Sequence, residues 1–401
     1  MSADTSAPVS VIAFGDAYAT RSSPKTPLQL AAEAIHAALA SPLGLNAADI
    51  DGLLTGRSPM ADPREQWNVI LASHLGLMPH YTTQVMHHSS GILGMFMHAS
   101  AALRCGLANY VLCVQSDAAP LFVDSHRTVT DLDTDPEYET LLGFTPIHMF
   151  AMLTQRYMHE TGASRSALAR IATAAQAWAV AHPYAHKKDK GLITETTVLE
   201  SRLVADPLRL WDCAPWGPGG TAGAFILALR DRAADVSDHT IDVLGTGSAM
   251  THQYYSERVA QLIWRDPDER TAGEIAAHRA YTAAGLGPAD VNLVSSSTAF
   301  TALGLMALED LGFCPRGTAG DFVQDDTIFP GGSLPFNTNG GWLSFGMSGT
   351  SANMDSVIEA LRQLSGTALG YQVDGCRTAL VHGMGGTYSC SDVVILGGVG
   401  G

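Results

Sequence analysis

GLNAADIDGLL, residues 44–54, reads as a turn, a short helical cap and a buried strand, and the pattern returns as GLGPADVNLVS at 285–295. At an offset of 241 the segments share Gly, Leu, Ala and Asp at four positions, and Ile50 faces Val291. The strand ahead of each recurs too: VSVIAFG starts at Val9 and IDVLG at Ile241, 232 residues apart. Each is followed by a helical pattern, the stripe Leu28, Ala31, Ile35, Ala38 and Leu39 in the first case and residues 276–284 in the second. Two agreeing repeats indicate an internal duplication.

Between the repeats, residues 83–86 read as a short strand, 91–105 as a helix apolar on nearly all faces, and 110–114 as an unbroken apolar strand. A helix without a polar face must lie between layers. Strands without alternation suit a sheet covered on both sides. The pattern turns polar and helical from 120 to 212, with helices expected over 149–161 and 164–181, before residues 221–229 resume as a buried strand. The expected fold is α/β: two sheets around shared buried helices, built from duplicated halves 1–239 and 240–401, with an excursion at about 120–212.

Composition narrows the function classes. The 401 residues are 46% hydrophobic and 15% charged, with a formal charge of −16. Soluble proteins average roughly 25% charged residues, so much of the chain must be hidden in a core or an interface. Four Lys and nineteen Arg oppose 39 acids, and the longest basic run is Lys187–Lys188. The electrostatic footprint needed for nucleic acid or an anionic membrane surface is missing. The most apolar stretch, 91–103, is interrupted by His98 and is shorter than the roughly 20 residues of a membrane span. The start, MSADTSAPVS, carries no basic-then-apolar signal, and a cytoplasmic protein is expected. The six cysteines form no C-x-x-C pair, which favours buried reduced thiols and offers no zinc-knuckle spacing.

Three segments carry possible chemistry. In VMHHSSG, 85–91, a strand turns directly into the buried helix. Free N–H groups there can stabilise an oxyanion, although Ser89 or Ser90 also suits a plain N-cap. FPGGSLPFNTNGG at 329–341, followed by FGMSG at 345–349, implies backbone pressed against a ligand or another segment. LVHGMGG at 380–386 brings His382 to the end of a strand.

In this order the segments resemble the thiolase superfamily, and within it the sterol-carrier-protein-x and lipid-transfer-protein type thiolases. Counting back from Arg104-Cys105-Gly106 places the family's catalytic Cys at Ser89. Trp211-Asp212-Cys213 and Gly219-Gly220-Thr221-Ala222 resemble the D-C-C…D-G-A-A segment, and 299–317 resembles the H-D-C-F-T…L-E-D-L-G-F-C-x-x-G run. Asn337-Thr338-Asn339-Gly340-Gly341…Gly346 resembles the N-x-x-G-G…G-H-P block, and 382–386 the terminal glycine loop. The resemblance spans most of the chain and implies a thiolase-like five-layer α-β-α-β-α sandwich.

It also implies a dimer or higher oligomer, a coenzyme A thioester as substrate with no covalently bound cofactor, and a small partner carrying an OB fold and a zinc ribbon. The family's pattern is broken where its chemistry sits. Its Cys falls on Ser89, the His of G-H-P on Met347 and the H-D-C-F histidine on Ser297; relatives that use tyrosines at these last two positions are not matched either. A serine needs an adjacent base to attack a thioester, and methionine cannot carry a proton. The catalytic candidates are Ser89, His88, His382, Ser297 and Asn337. The substrate-binding candidates are His87, Ser90, Gly341, Gly346, Met347 and Gly385, with no metal expected. The function implied is an acyl-CoA enzyme that forms or cleaves a C–C bond, by acyl transfer or retro-aldol or retro-Claisen cleavage with altered residues. The alternative is a non-catalytic thiolase-fold subunit or acyl-CoA binding module. Lys187, Lys188 and Lys190 are the one dense cationic candidate for the CoA phosphates, or simply a solvated loop, and Tyr254 and Tyr255 are possible phenolic acids.

Overall fold

The computed structural model describes residues 6–40, 44–58, 61–62, 64–87, 90–119, 134–237, 239–259 and 270–398. The first half runs β1 (Val9–Thr20), α1 (Pro27–Leu39), β2 (Gly52–Thr55), α2 (Trp67–Leu75), β3 (Tyr81–Gln84), α3 (Gly91–Arg104) and β4 (Val111–Asp117). Helices α4 (Pro146–Thr161) and α5 (Arg165–Ala179) follow, and β5 (Gly219–Leu229) returns to the sheet. The second half runs β6 (Ile241–Met250), α6 (Ala272–Ala284), β7 (Leu293–Ser296), α7 (Thr301–Asp310), α8 (Ala352–Leu364), β8 (Thr378–Gly385) and β9 (Cys390–Gly398). The strand expected at 83–86 lies at Tyr81–Gln84 instead. Its ladder is fixed by four-residue β2, from Gly52↔Tyr81 to Thr55↔Gln84.

The strands hydrogen-bond in the order β3-β2-β4-β5-β1-β6-β9-β8-β7. Without β3, the first-half order β2-β4-β5-β1 is repeated by β7-β8-β9-β6. The senses repeat as well: β2 is parallel to β4 and β7 to β8, and the remaining neighbours within each half are antiparallel. In the sheet the halves are joined by the pairs Ser10↔Asp242 and Val11↔Ile241 of β1 and β6. At this seam Ser10 donates to Asp242 Oδ1 at 2.7 Å, and Arg230 pairs with the same carboxylate.

The duplication extends to side chains. Asp51 accepts the backbone N–H groups of Asn109 and Tyr110, and Asn292, 241 positions on, accepts those of Arg377 and Thr378. Gly15 and Gly247, 232 apart, each let a helix close on a strand: a Cβ would stand 2.5 Å from Ala34 O in one and 2.0 Å from Ala276 O in the other. No side chain fits at either position.

Three buried clusters define the layers. One joins α1 and α2 to one face of the first sheet half. A second holds Ile92, Leu93 and Phe96 of α3 and Met354, Val357 and Ile358 of α8 between inward residues of both halves, with Phe96 and Phe225 stacked at 4.4 Å. The third joins α4 to α7 to the far face of the second half. The result is the five-layer α-β-α-β-α sandwich, with α3 and α8 in the middle. At roughly 25 cal/mol per Å² of apolar surface removed from water, such doubly covered helices contribute heavily to stability.

Candidate active site

The site is set by which face of β8 and β9 each residue occupies, because successive strand residues point to opposite sides. On β8, Val381 belongs to the central cluster and Leu380 and Met384 to the outer one. A Cβ on Gly383 would lie 3.1 Å from Ser90 Cα and 3.3 Å from Asn353 Nδ2, so the heads of α3 and α8 meet over this glycine. On β9, Val394 faces the centre while Val393 and Ile395 face outward. Cys390 and Asp392 therefore point at α3, and Ser391 away from it.

At the head of α3, Ser90 is fully buried and its hydroxyl donates to the His87 carbonyl at 2.7 Å. Ser90 closes the preceding turn and makes no side-chain cap for the helix. Among the described residues no side-chain cap takes up the first N–H groups of α3. The Cys390 thiol donates to the same His87 carbonyl at 3.5 Å and lies 3.7 Å from Ser90 Oγ. His88 and Ser89, expected here as base and nucleophile, lie outside the described residues.

His87 turns its ring toward β9, with Nδ1 3.4 Å from Asp392 Oδ2. The ring is 29% exposed and the carboxylate 3%. Among the described residues neither carboxylate oxygen has a hydrogen-bond partner. The carboxylate raises the His87 pKa above its ordinary value, and burial opposes it. Neither Asp392 nor Cys390 was among the residues expected from sequence. The available signal was a carboxylate inside CSDVVILGG, an otherwise apolar strand, where acids are almost never buried without a partner.

Other expected residues stand elsewhere. His382 occupies the outward face, with Nδ1 2.9 Å from Ser296 Oγ and Nε2 3.2 Å from Ser391 Oγ. Both ring nitrogens are engaged, and burial lowers the pKa to about 4. The imidazole is therefore neutral and does not face Ser90. Ser297 donates to Asn353 Oδ1 at 2.5 Å and accepts from Met384 N at 3.0 Å, tying the first turn of α8 to β8. Asn337 accepts from Ser296 N at 2.7 Å and donates to Thr298 Oγ1 at 3.0 Å, with φ at 56°. Gly341 packs on that amide, where a Cβ would stand 2.8 Å from Nδ2.

Gly346 lies so close to Gly217 that a Cβ would stand 2.6 Å from its carbonyl oxygen. Met347 pairs with the same strap, its N–H donating to Pro215 O and its carbonyl accepting from Gly217 N. The Gly385 carbonyl accepts from Ser389 N and closes the β8–β9 turn. Asp117 is fully buried and holds the loop before α8 through the Thr350 N–H at 2.9 Å and its hydroxyl at 3.0 Å. Burial pushes its pKa up to about 6.

The three lysines of the cluster are not equivalent: Lys190 is exposed, whereas the ammonium of Lys187 is enclosed. Lys187 Nζ lies over the Trp211 ring at 4.4 Å, buried and without a hydrogen-bond partner among the described residues, and desolvation lowers its pKa to about 8. It is packed inward, and Lys188 is paired with Asp189 at 3.2 Å. Tyr255 packs on the outer cluster, away from α3.

A model of the thiolase C-terminal domain-like family matches residues 247–398. An acetyl-CoA acetyltransferase of Methanothermobacter thermautotrophicus is 30% identical, over 86% of this chain and 88% of its own. A steroid side-chain-cleaving aldolase of Thermomonospora curvata is 28% identical, over 94% of this chain and 95% of its own. Among solved structures, the Ltp2–ChsH2(DUF35) aldolase superposes with a TM-score of 0.81 and 27% identity, covering 97% of each chain. The chain belongs to the thiolase superfamily, in its sterol-carrier-protein type, thiolase-like branch. Among the described residues no helix is long and apolar enough to cross a membrane.

Proposed function

We propose that this protein is an enzyme that breaks or forms a carbon–carbon bond beside the thioester of an acyl-CoA, by aldol-type chemistry in preference to thiolysis. The observation that carries this reading is the full-length likeness to two proteins named as aldolases. The site agrees with it. Thiolysis needs an activated thiolate and a proton carrier at the positions of Ser89 and Met347, and neither a serine hydroxyl nor a methionine thioether is one. A retro-aldol cleavage needs only a proton carrier and a place for an enolate oxygen.

The reading includes coenzyme A thioester as substrate, no covalently bound cofactor, a cytoplasmic homo-oligomer, and halves 1–239 and 240–401 with the excursion at about 120–212. It also includes a small OB-fold, zinc-ribbon partner, supported by the ChsH2(DUF35) component named with Ltp2. Incubation with 3-hydroxyacyl-CoA and, separately, with 3-oxoacyl-CoA plus free CoA tests it. A shorter acyl-CoA and a carbonyl product from the first substrate support aldol cleavage; turnover only of the second contradicts it. The second reading, a non-catalytic subunit, is favoured by the same lost Cys and His. It requires a complex to keep its activity when the site of this chain is mutated.

A further inference from the structure

We propose that His87, oriented by Asp392, is the proton carrier of this site, taking the hydroxyl proton of a 3-hydroxyacyl thioester and returning it to the α-carbon. The inference rests on the aldol reading above and assigns that reaction to residues that no relative's name points to. Asp392 is 2% exposed, neither of its oxygens is hydrogen-bonded among the described residues, and His87 Nδ1 stands 3.4 Å away. An unpaired buried carboxylate costs several kcal/mol. The His87 ring stands against it at 3.4 Å.

A carboxylate against Nδ1 fixes the tautomer and directs Nε2 elsewhere, as in other carboxylate–imidazole pairs. The ring is 29% exposed, so Nε2 can meet a substrate that the deeply buried carboxylate cannot. His382 is placed differently: its nitrogens are taken up by Ser296 and Ser391 on the far face of β8. Among the described residues the titratable neighbours of the pair are Cys390 on β9 and His382 on the adjacent strand; His88, next in sequence, lies outside the described residues. The first two turns of α3 carry no ionisable side chain.

The step balances without a co-reactant. His87 accepts the 3-hydroxyl proton, the oxygen electrons form the carbonyl, and the C2–C3 pair moves onto the thioester as an enolate beside the α3 N–H groups. The imidazolium then delivers the same proton to C2. No covalent acyl-enzyme forms and nothing is oxidised, so loss of the family's Cys at position 89 does not block the reaction.

The test uses the full chain with its copurifying partner, acetyl-CoA in D₂O as the enolisation probe, and a 3-hydroxyacyl-CoA panel for cleavage. Wild type should exchange the α-protons, and His87→Gln should lower both exchange and cleavage at least ~100-fold, within the usual range for a lost acid–base group. Asp392→Asn should lower kcat at least ~10-fold with KM little changed. It should also move the acidic limb of the pH–rate profile to lower pH, because the carboxylate that raises His87 is gone. Imidazole should restore part of the activity of His87→Gly. His87→Gln is partly exposed, so it keeps the test decisive if Asp392→Asn fails to fold. Exchange and cleavage within ~3-fold of wild type in His87→Gln would overturn the assignment and leave the aldol reading standing. Absence of cleavage in wild type with every substrate would overturn both.

Discussion

Ser297 and Asn353 share a 2.5 Å hydrogen bond that joins the end of β7 to the first turn of α8, and Met384 N donates to the same hydroxyl at 3.0 Å. Ser297, expected from the sequence as a catalytic residue, is a tie between elements. Its proton is committed to Asn353 and one lone pair to Met384 N, so the hydroxyl has no proton free to give a reacting group. Ser297→Ala removes one hydrogen bond from the Asn353 amide oxygen and one from the Met384 N–H, a loss of about 1–3 kcal/mol. Denaturant unfolding of wild type and variant checks it; a loss under about 0.5 kcal/mol would mean that Asn353 re-pairs freely.

His382 gives a signed pH dependence. Its folded pKa is about 4 against an ordinary 6.5. Between these values the unfolded chain binds the proton more readily, so the residue's stabilising share is present above pH 6.5 and is lost as pH falls toward 4. The unfolding free-energy difference between wild type and His382→Asn should be larger at pH 7.5 than at pH 4.5, by about 2–3 kcal/mol. A difference of opposite sign would mean that the imidazole is charged in the fold.

The duplicated glycines should fail together. A Cβ at Gly15 or Gly247 would enter the backbone of α1 or α6, and backbone cannot give way as a side-chain tip can. Gly15→Ala and Gly247→Ala should each cost about 1–3 kcal/mol or prevent folding. Urea unfolding with each single variant decides it. Tolerance of both would contradict the close helix–strand approach.

Lys187 should not bind the CoA phosphates. Its ammonium is held against Trp211 and away from water, a placement that gains nothing from an anion outside. Lys187→Met should leave stability within about 1 kcal/mol, since a buried charge is exchanged for an isosteric apolar chain. It should also leave the Kd for CoA, read by titration calorimetry, within about threefold. A tenfold weakening would place the lysine in the phosphate site.

The repeat at 44–54 and 285–295 made the architecture readable, because each segment carries its own turn and cap chemistry and falls at the start of β2 and β7. The buried helix 91–105 was legible from its lack of a polar face. The site was legible only in part. His87 and Ser90 share a short segment with the helix start, but Cys390 is 303 residues from His87. Which side of β9 carries Asp392 depends on a register that no local pattern contains. His382 misled for the same reason: adjacent strand positions point to opposite faces, and a one-residue difference put it behind the sheet.

Carbon–carbon cleavage beside a thioester is read most directly by mass spectrometry of the wild-type protein, with any subunit that copurifies, incubated with a panel of 3-hydroxyacyl-CoA esters. Aldol cleavage should yield a shortened acyl-CoA and an equimolar aldehyde or ketone, without consumption of free CoA. Intact substrates across the panel, or turnover that consumes free CoA, would contradict it.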